Sequence, residues 1–288
     1  MNTESKTQTR RLRFPNLDLT LVVGISLLLT VLLFGLIGPS FFDPKTTNVG
    51  AFPPRLPPSN DHWLGTDSQG RDVMAALTYA TPQTLKIGVL AGIIGLGIGV
   101  ILGLVSGYFS GIVDTVIRTT TDVLNTIPGI ALLVVIATMM RMMSVELMAM
   151  IIAALAWRYP ARAVRAQTLT LRERAYVQVA RLNGMGGLEI IVKEVLPNLL
   201  PYIAGSFVAT VSQATLSSIG LEALGLGPQN TLTLGMMIYW AQYYSAILRN
   251  MWWWWAPPIV VIVLIFVGLF FVSSGLDQMV NTRLRRTE

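Results

Sequence analysis

The chain has 288 residues, 53% of them hydrophobic and only 12% charged, with a mean hydropathy of +0.60. A soluble domain carries about a quarter charged residues, so this composition argues against a cytosolic or secreted enzyme and for a bundle dissolved in lipid. With no cysteine, disulfides, zinc–thiolate sites, iron–sulfur clusters and cysteine nucleophiles are excluded, and the single His62 leaves little from which to build a His-cluster metal site or a Ser-His-Asp triad.

A spanning helix needs about 20 apolar residues at about 1.5 Å rise each. The first predicted span runs from about Leu17 to Ile37, after a basic head holding Lys6, Arg10, Arg11 and Arg13. Its apolar run is long for a signal peptide and no small-residue cleavage site follows, so it reads as an uncleaved anchor. The segment after it is rich in proline (Pro39, Pro44, Pro53, Pro54, Pro57, Pro58) and reads as an external loop. Further helices are expected at about Leu85–Tyr108, Ile117–Met140, Ser144–Trp157 (continuing toward Arg165), Leu199–Leu221 and Trp252–Ser273, the last two separated by a polar and aromatic loop. The organisation is therefore an N-terminal tail (1–16), a first transmembrane helix (17–38), an external segment (39–80), a five-helix core (81–276) enclosing a long loop (158–198), and a C-terminal tail (277–288). The fold class is all-α integral membrane with six spans.

The formal charge of +6 and pI near 9.8 invite a nucleic-acid reading, but the basic residues are sorted by membrane side. Six of the 21, namely Lys45, Arg55, Arg71, Lys86, Arg141 and Arg249, fall on one side, and the rest share the side of the N-terminus. The positive-inside rule then puts both termini in the cytoplasm. No nucleic-acid partner is needed. Tyr239, Trp240, Tyr243, Tyr244 and the run Trp252 to Trp255 form an aromatic belt at the outer end of the sixth helix.

Gly95, Gly99, Gly103 and Gly107, preceded by Gly88 and Gly92, put a glycine stripe along the second helix. Close helix packing explains it, and a sliding seam is the functional alternative. Asp114, Arg118 and Asp122 at spacing four permit an acid–base–acid ladder, read as a structural salt bridge or, alternatively, an ion relay. Glu146 and Arg141 are expected to face water near an outer turn. A methionine patch (Met139, Met140, Met142, Met143, Met148, Met150) reads as adaptable packing rather than a soft-metal site. No catalytic residues and no metal ligands are assigned.

The loop from Trp157 to Pro201 carries seven basic residues in a helix–glycine–helix pattern, a shape suited to docking in another protein's groove. Here the chain resembles the inner-membrane permease subunits of ABC importers, whose cytoplasmic loop carries Glu-Ala-Ala, a glycine four residues on, and then Leu-Pro. Gln178, Val179 and Ala180 stand at the Glu-Ala-Ala positions, with Gly184 at the glycine and Leu196–Pro197 at the end. A second match, His62, Leu64, Gly65, Thr66 and Asp67 followed by Gly70, Arg71 and Asp72, is similar to the dipeptide, oligopeptide and nickel importer permeases of the second-permease type. Asp122 to Pro128, Leu224 to Gly227 and Arg283 to Arg285 extend it, while Ser273–Ser274 and Asn281–Thr282 depart from it.

The resemblance implies the type I ABC importer permease fold in a bacterial plasma (inner) membrane. It implies four kinds of partner: a second permease, two cytoplasmic ATP-binding subunits, an external substrate-binding protein and membrane lipid. It also implies an ATPase-coupling loop including Tyr176, Gln178, Val179, Ala180, Arg181, Gly184, Leu196 and Pro197. The chain holds no GxxxxGK[ST] phosphate loop, so ATP and Mg are expected on the partner subunits and no cofactor on this chain. Ser212, Gln213, Ser217 and Ser218 are polar candidates for lining the passage, or for bonding to neighbouring helices. The competing class is a self-sufficient secondary transporter or channel using the Asp/Arg relay.

Overall fold

The computed structural model describes residues 19–280, so the basic head and the last eight residues, with the departures at Asn281–Thr282, lie outside it. Among the described residues the secondary structure is helical throughout. Five helices are long and apolar enough to span: Leu19–Phe41, Val73–Phe109, Val145–Arg172, Gly187–Ala223 and Trp252–Gln278. A bent pair makes a sixth.

Helix α1 (Leu19–Ile37) lies along the final helix, Trp252–Val280. Glycines on both sides let the backbones touch: a Cβ on Gly24 would stand 2.6 Å from Val272 N, and one on Gly275 2.6 Å from Leu21 Cβ. Helix α2 (Val73–Phe109) opens twelve residues before the expected Leu85, inside what reads in sequence as external loop. The reason is a cap: Asp72 sits extended at the N-cap and accepts a hydrogen bond from Ala75 N at 2.9 Å.

The third span is not one rod. It is α3 (Gly111–Thr126) and α4 (Gly129–Thr138), bent by 82°. Pro128 bars its predecessor from helical backbone, and Ile127 is accordingly extended at φ −87°, ψ 127°. Helices α5 (Val145–Ala156) and α6 (Arg158–Arg172) join into a span of 28 residues, so Arg158 is carried inside a spanning helix rather than on a cytoplasmic loop.

A short helix, α7 (Ala175–Leu182), precedes α8 (Gly187–Ile190), a π-turn over Ile191–Val195, and α9 (Leu196–Ala223). The break expected before Pro197 is absent. Pro197 lies in the first turn of α9, and the π-turn, with Leu196 N bonded back to Ile191 O, lets the helix run on. The expected aromatic loop contains α10 (Leu234–Tyr243), started by Thr233 capping Met236 N at 3.3 Å. Helix α11 (Trp252–Val280) reaches seven residues past the expected Ser273.

The elements gather around α2, which packs on α5, α6 and α9. Its glycine stripe is the contact: Cβ atoms would stand 2.6 Å from Ala156 Cβ at Gly95, 2.6 Å from Pro160 Cγ at Gly99 and 2.7 Å from Thr168 Cβ at Gly107. Close packing therefore accounts for the stripe. One apolar cluster fills the space between α2, α9, α10 and α11 (Ala76, Val211, Met237, Trp254, Ile265), and a second lies between α2, α5 and α9 (Ile87, Met148, Ile152, Leu221). A third, at the end bearing α7, joins Leu104, Val164, Val177, Ile190, Ile191, Val195 and Leu199.

Candidate functional site

Helix α7 has two faces. Val177 and Ala180 are buried in the third cluster, while Tyr176, Val179 and Leu182 face out. Leu182 is 87% exposed and Leu188, just past the turn, 66%. These apolar side chains stand among exposed Arg174 and Arg181, an arrangement typical of a surface that meets a partner.

The turn itself is tightly specified. Gly184 N donates to Arg181 O at 3.0 Å and Met185 N to Ala180 O at 3.2 Å, the paired bonds of a Schellman end, with Gly184 at φ +81°. That backbone conformation favours glycine. Gln178, at the glutamate position of the loop motif, donates from Nε2 to Arg172 O at 3.3 Å and so closes the end of α6. Arg181 lies 5.2 Å from the centroid of the Tyr108 ring, and Arg172 bonds Gly107 O at 3.3 Å, tying the elbow to the end of α2. Leu196 is half-buried and Pro197 exposed at the root of α9.

A cavity of about 370 Å³ lies at the α3–α4 break, lined by Asn125, Pro128, Arg158, Tyr159, Gln213 and Ser217 together with apolar walls. Of the four polar candidates on α9, Gln213 and Ser217 are brought together here. Ser212 instead donates to Val208 O at 2.9 Å, and Ser218 is buried and donates to Glu222 at 2.9 Å. Glu222, fully buried, also accepts from Thr233 at 2.8 Å and so fastens the start of α10 to α9. Neither Glu222 nor Arg158 was singled out from sequence, because each sits in a run whose neighbours look like helix ends.

The acid–base ladder takes another form. Asp114 pairs across helices with Arg165, at 2.5 Å to Nε and 2.6 Å to Nη2, and accepts from Ser106 at 2.5 Å, rather than pairing with Arg118 on its own helix. The carboxylate thus bolts α3 to α6 and α2. Glu146, expected to face only water, pairs with Lys86 of α2 at 2.5 Å.

At the end opposite α7, the His62–Asp72 motif forms a clasp over the start of α2. Thr66 Oγ1 donates to Pro53 O and accepts from Leu56 N, both at 2.8 Å, and Asp67 accepts from Gln69 N at 2.7 Å and Arg71 N at 2.9 Å. His62 Nδ1 lies 2.7 Å from Asp72, whose other oxygen caps α2. Gly65 and Gly70 turn the chain at φ +61° and +75°, and Leu64 packs on the first apolar cluster. The motif residues are occupied in holding the proline-rich segment together.

Residues 99–286 match the family described as binding-protein-dependent transport system inner membrane component. The dipeptide transport system permease protein DppC of Bacillus subtilis (strain 168) is 30% identical over 268 residues, 92% of this chain and 82% of that protein. The glutathione transport system permease protein GsiD of Escherichia coli O6:K15:H31 is 32% identical over 227 residues, 76% of this chain and 72% of that protein. The oligopeptide transport system permease protein OppC of Mycobacterium tuberculosis (strain ATCC 25618 / H37Rv) is 30% identical over 184 residues, a stretch that spans 63% of either chain. A chain of the MetNI methionine ABC transporter, solved in inward-facing conformations, shares the fold with a TM-score of 0.58 at 20% identity, covering 73% of this chain and 97% of that one. The chain is a multi-pass inner-membrane protein with the type I ABC permease fold, and it belongs to the family of binding-protein-dependent transport system inner membrane components.

Proposed function

We propose that this chain is the permease subunit of an ATP-driven importer for peptides or a related small solute. It forms the passage with a second permease and receives solute from an external binding protein. Its α7 end is cytoplasmic and seats in a cleft of one of two ATP-binding subunits. The observation that carries this reading is the exposed apolar face of α7, Tyr176, Val179 and Leu182, on an elbow bound to the end of α2.

The geometry supports a lever. Val177 and Ala180 key α7 into the cluster that also holds Leu104 of α2, Val164 of α6 and Leu199 of α9. A push on the elbow as the ATPase pair closes moves all three helices together. The Schellman turn at Gly184 keeps the elbow from bending under load, and the closed end of α6 at Gln178 passes that load on. This chain performs no chemistry in the cycle; nucleotide and magnesium belong to the partner subunits.

Replacing Gly184 with proline removes the Gly184 N–H bond and forces φ near −65°, which the turn excludes. In proteoliposomes holding the whole complex, Gly184→Pro is expected to insert normally, hydrolyse ATP and fail to take up solute. Normal ATP-driven uptake by that variant would overturn the coupling role. Uptake by the purified chain alone down an ion gradient would overturn the importer reading.

A further inference from the structure

We propose that the cavity at the α3–α4 break binds the carboxylate of the solute in transit, between the Arg158 guanidinium and the first amides of α4. The proposal rests on the reading of this chain as a solute permease, and it assigns a site and a ligand chemistry within it.

Arg158 is 7% exposed and sits near the middle of the 28-residue span Val145–Arg172. An arginine keeps its charge in any protein setting, and a charge at that depth normally marks a pairing partner or a transport path. The partners present are neutral: Nε donates to Leu155 O at 2.9 Å and Nη1 to Leu124 O. The Leu124 carbonyl belongs to the last turn of α3, so the two bonds aim the guanidinium at the α3–α4 break, and no carboxylate among the described residues pairs with it. Among the described residues Nη2 has no hydrogen-bond partner and Arg158 no ion pair, and the residue borders the cavity.

The second positive feature converges on the same place. Pro128 breaks the span, so α4 starts afresh at Gly129 beside the cavity. Its first internal bonds run from Ala131 N and Leu132 N to Pro128 O, which leaves the amides of Gly129 and Ile130 as the unspent donors of a helix N-terminus. A Cβ on Gly129 would stand 2.9 Å from Arg158 Nη2, so the tip of the guanidinium lies against the start of α4. A guanidinium and a positive helix end repel each other unless an anion lies between them, and broken spans present half-helix N-termini to anionic groups in this manner.

Asn125, Tyr159, Gln213 and Ser217 line the same cavity with polar groups. The volume of about 370 Å³ falls within the range of small-ligand sites. The remaining walls, Ile127, Ile130, Leu133, Ile152 and Leu216, suit the side chains of a short peptide better than a hydrated inorganic ion.

The test uses the complete complex in proteoliposomes and compares uptake of trialanine with that of its C-terminal amide, each at a concentration that saturates the external binding protein. The native complex is expected to prefer the free acid by about tenfold, Arg158→Gln to lose that preference, and Arg158→Lys to keep part of it. A purely structural arginine would lower both rates alike and leave the ratio unchanged, which would overturn the proposal. A second arm needs no transport: modification of Arg158 by phenylglyoxal in the purified chain, read by mass spectrometry. Trialanine should slow it and the amide should not. Equal slowing by both, by neither, or by anionic lipid alone would overturn the site. If the native complex moved no peptide while trialanine still shielded Arg158, the importer reading would fall and the anion site would stand.

Discussion

Asp67 carries a carboxyl that is 5% exposed, held by the amides of Gln69 and Arg71. Burial raises its pKa above the ordinary aspartate value, against the opposing pull of those bonds and of the Arg71 charge; burial likewise lowers that of Arg71. The folded clasp therefore holds a proton at Asp67 more tightly than the unfolded chain does. The stability this adds is complete below the ordinary aspartate pKa and is lost as pH rises through the raised value. As pH rises from about 4, the ordinary aspartate pKa, the thermal midpoint of the detergent-solubilised protein should thus fall by less in Asp67→Asn than in the native chain. An equal fall in both would show that Asp67 does not set the dependence. His62, Thr66, Asp67 and Asp72 stand out in the sequence as a motif, but their spacing does not say that Thr66 grips Pro53 and Leu56 while Asp72 caps α2. Those bonds join segments up to 13 residues apart.

At the scale of elements, α7 separates stability from docking. Its inward residues hold a core, whereas Leu182 and Leu188 touch little of this chain. Leu182→Ser with Leu188→Ser should shift the thermal midpoint only slightly, within the roughly 0.5 kcal/mol usual for surface changes, yet sharply reduce recovery of the ATP-binding subunits on affinity purification. Undiminished recovery would refute the docking face. The helix–glycine–helix pattern was legible because Gly184, Gly186 and Gly187 are local break signals after a run with its charge on one side. The α3–α4 bend was not read from the sequence, where one helix was expected from about Ile117 to Met140: Pro128 disfavours helix at Ile127, but the 82° turn depends on where α4 finds partners on α5 and α9. The cap on α2 at Asp72 and the helix α10 were missed, because polar residues hid a start signal in each.

The whole molecule is organised by one helix. Helix α2 is 37 residues long, about 55 Å at the standard rise, and it meets α9 through Gly88 and Gly92, then α5 and α6 through Gly95 to Gly107. A side chain at Gly95 must displace Ala156, where α5 passes into α6. Gly95→Leu is accordingly expected to destabilise the protein by about 1–3 kcal/mol or more, read as a lowered unfolding midpoint in detergent. A midpoint unchanged from the native chain would mean that the stripe is slack. The same close approach brings Asp114 within reach of Arg165 and seats Lys86 against Glu146, pairs whose members are 51 and 60 residues apart.

Composition, with its few charges sorted along the chain, was enough to establish a helical membrane bundle and its approximate spans. These depend on free energies of transfer to lipid, which add residue by residue along the chain. Which charges pair, which polar groups face the cavity, and that Arg158 lies inside a span with no counter-charge among the described residues are decided only by the tertiary structure. They follow from the angle of the break at Pro128 and the register of α2 against α6, set by packing between residues distant in sequence. The scarcity of charge marks the membrane, and the placement of one buried arginine marks the cavity.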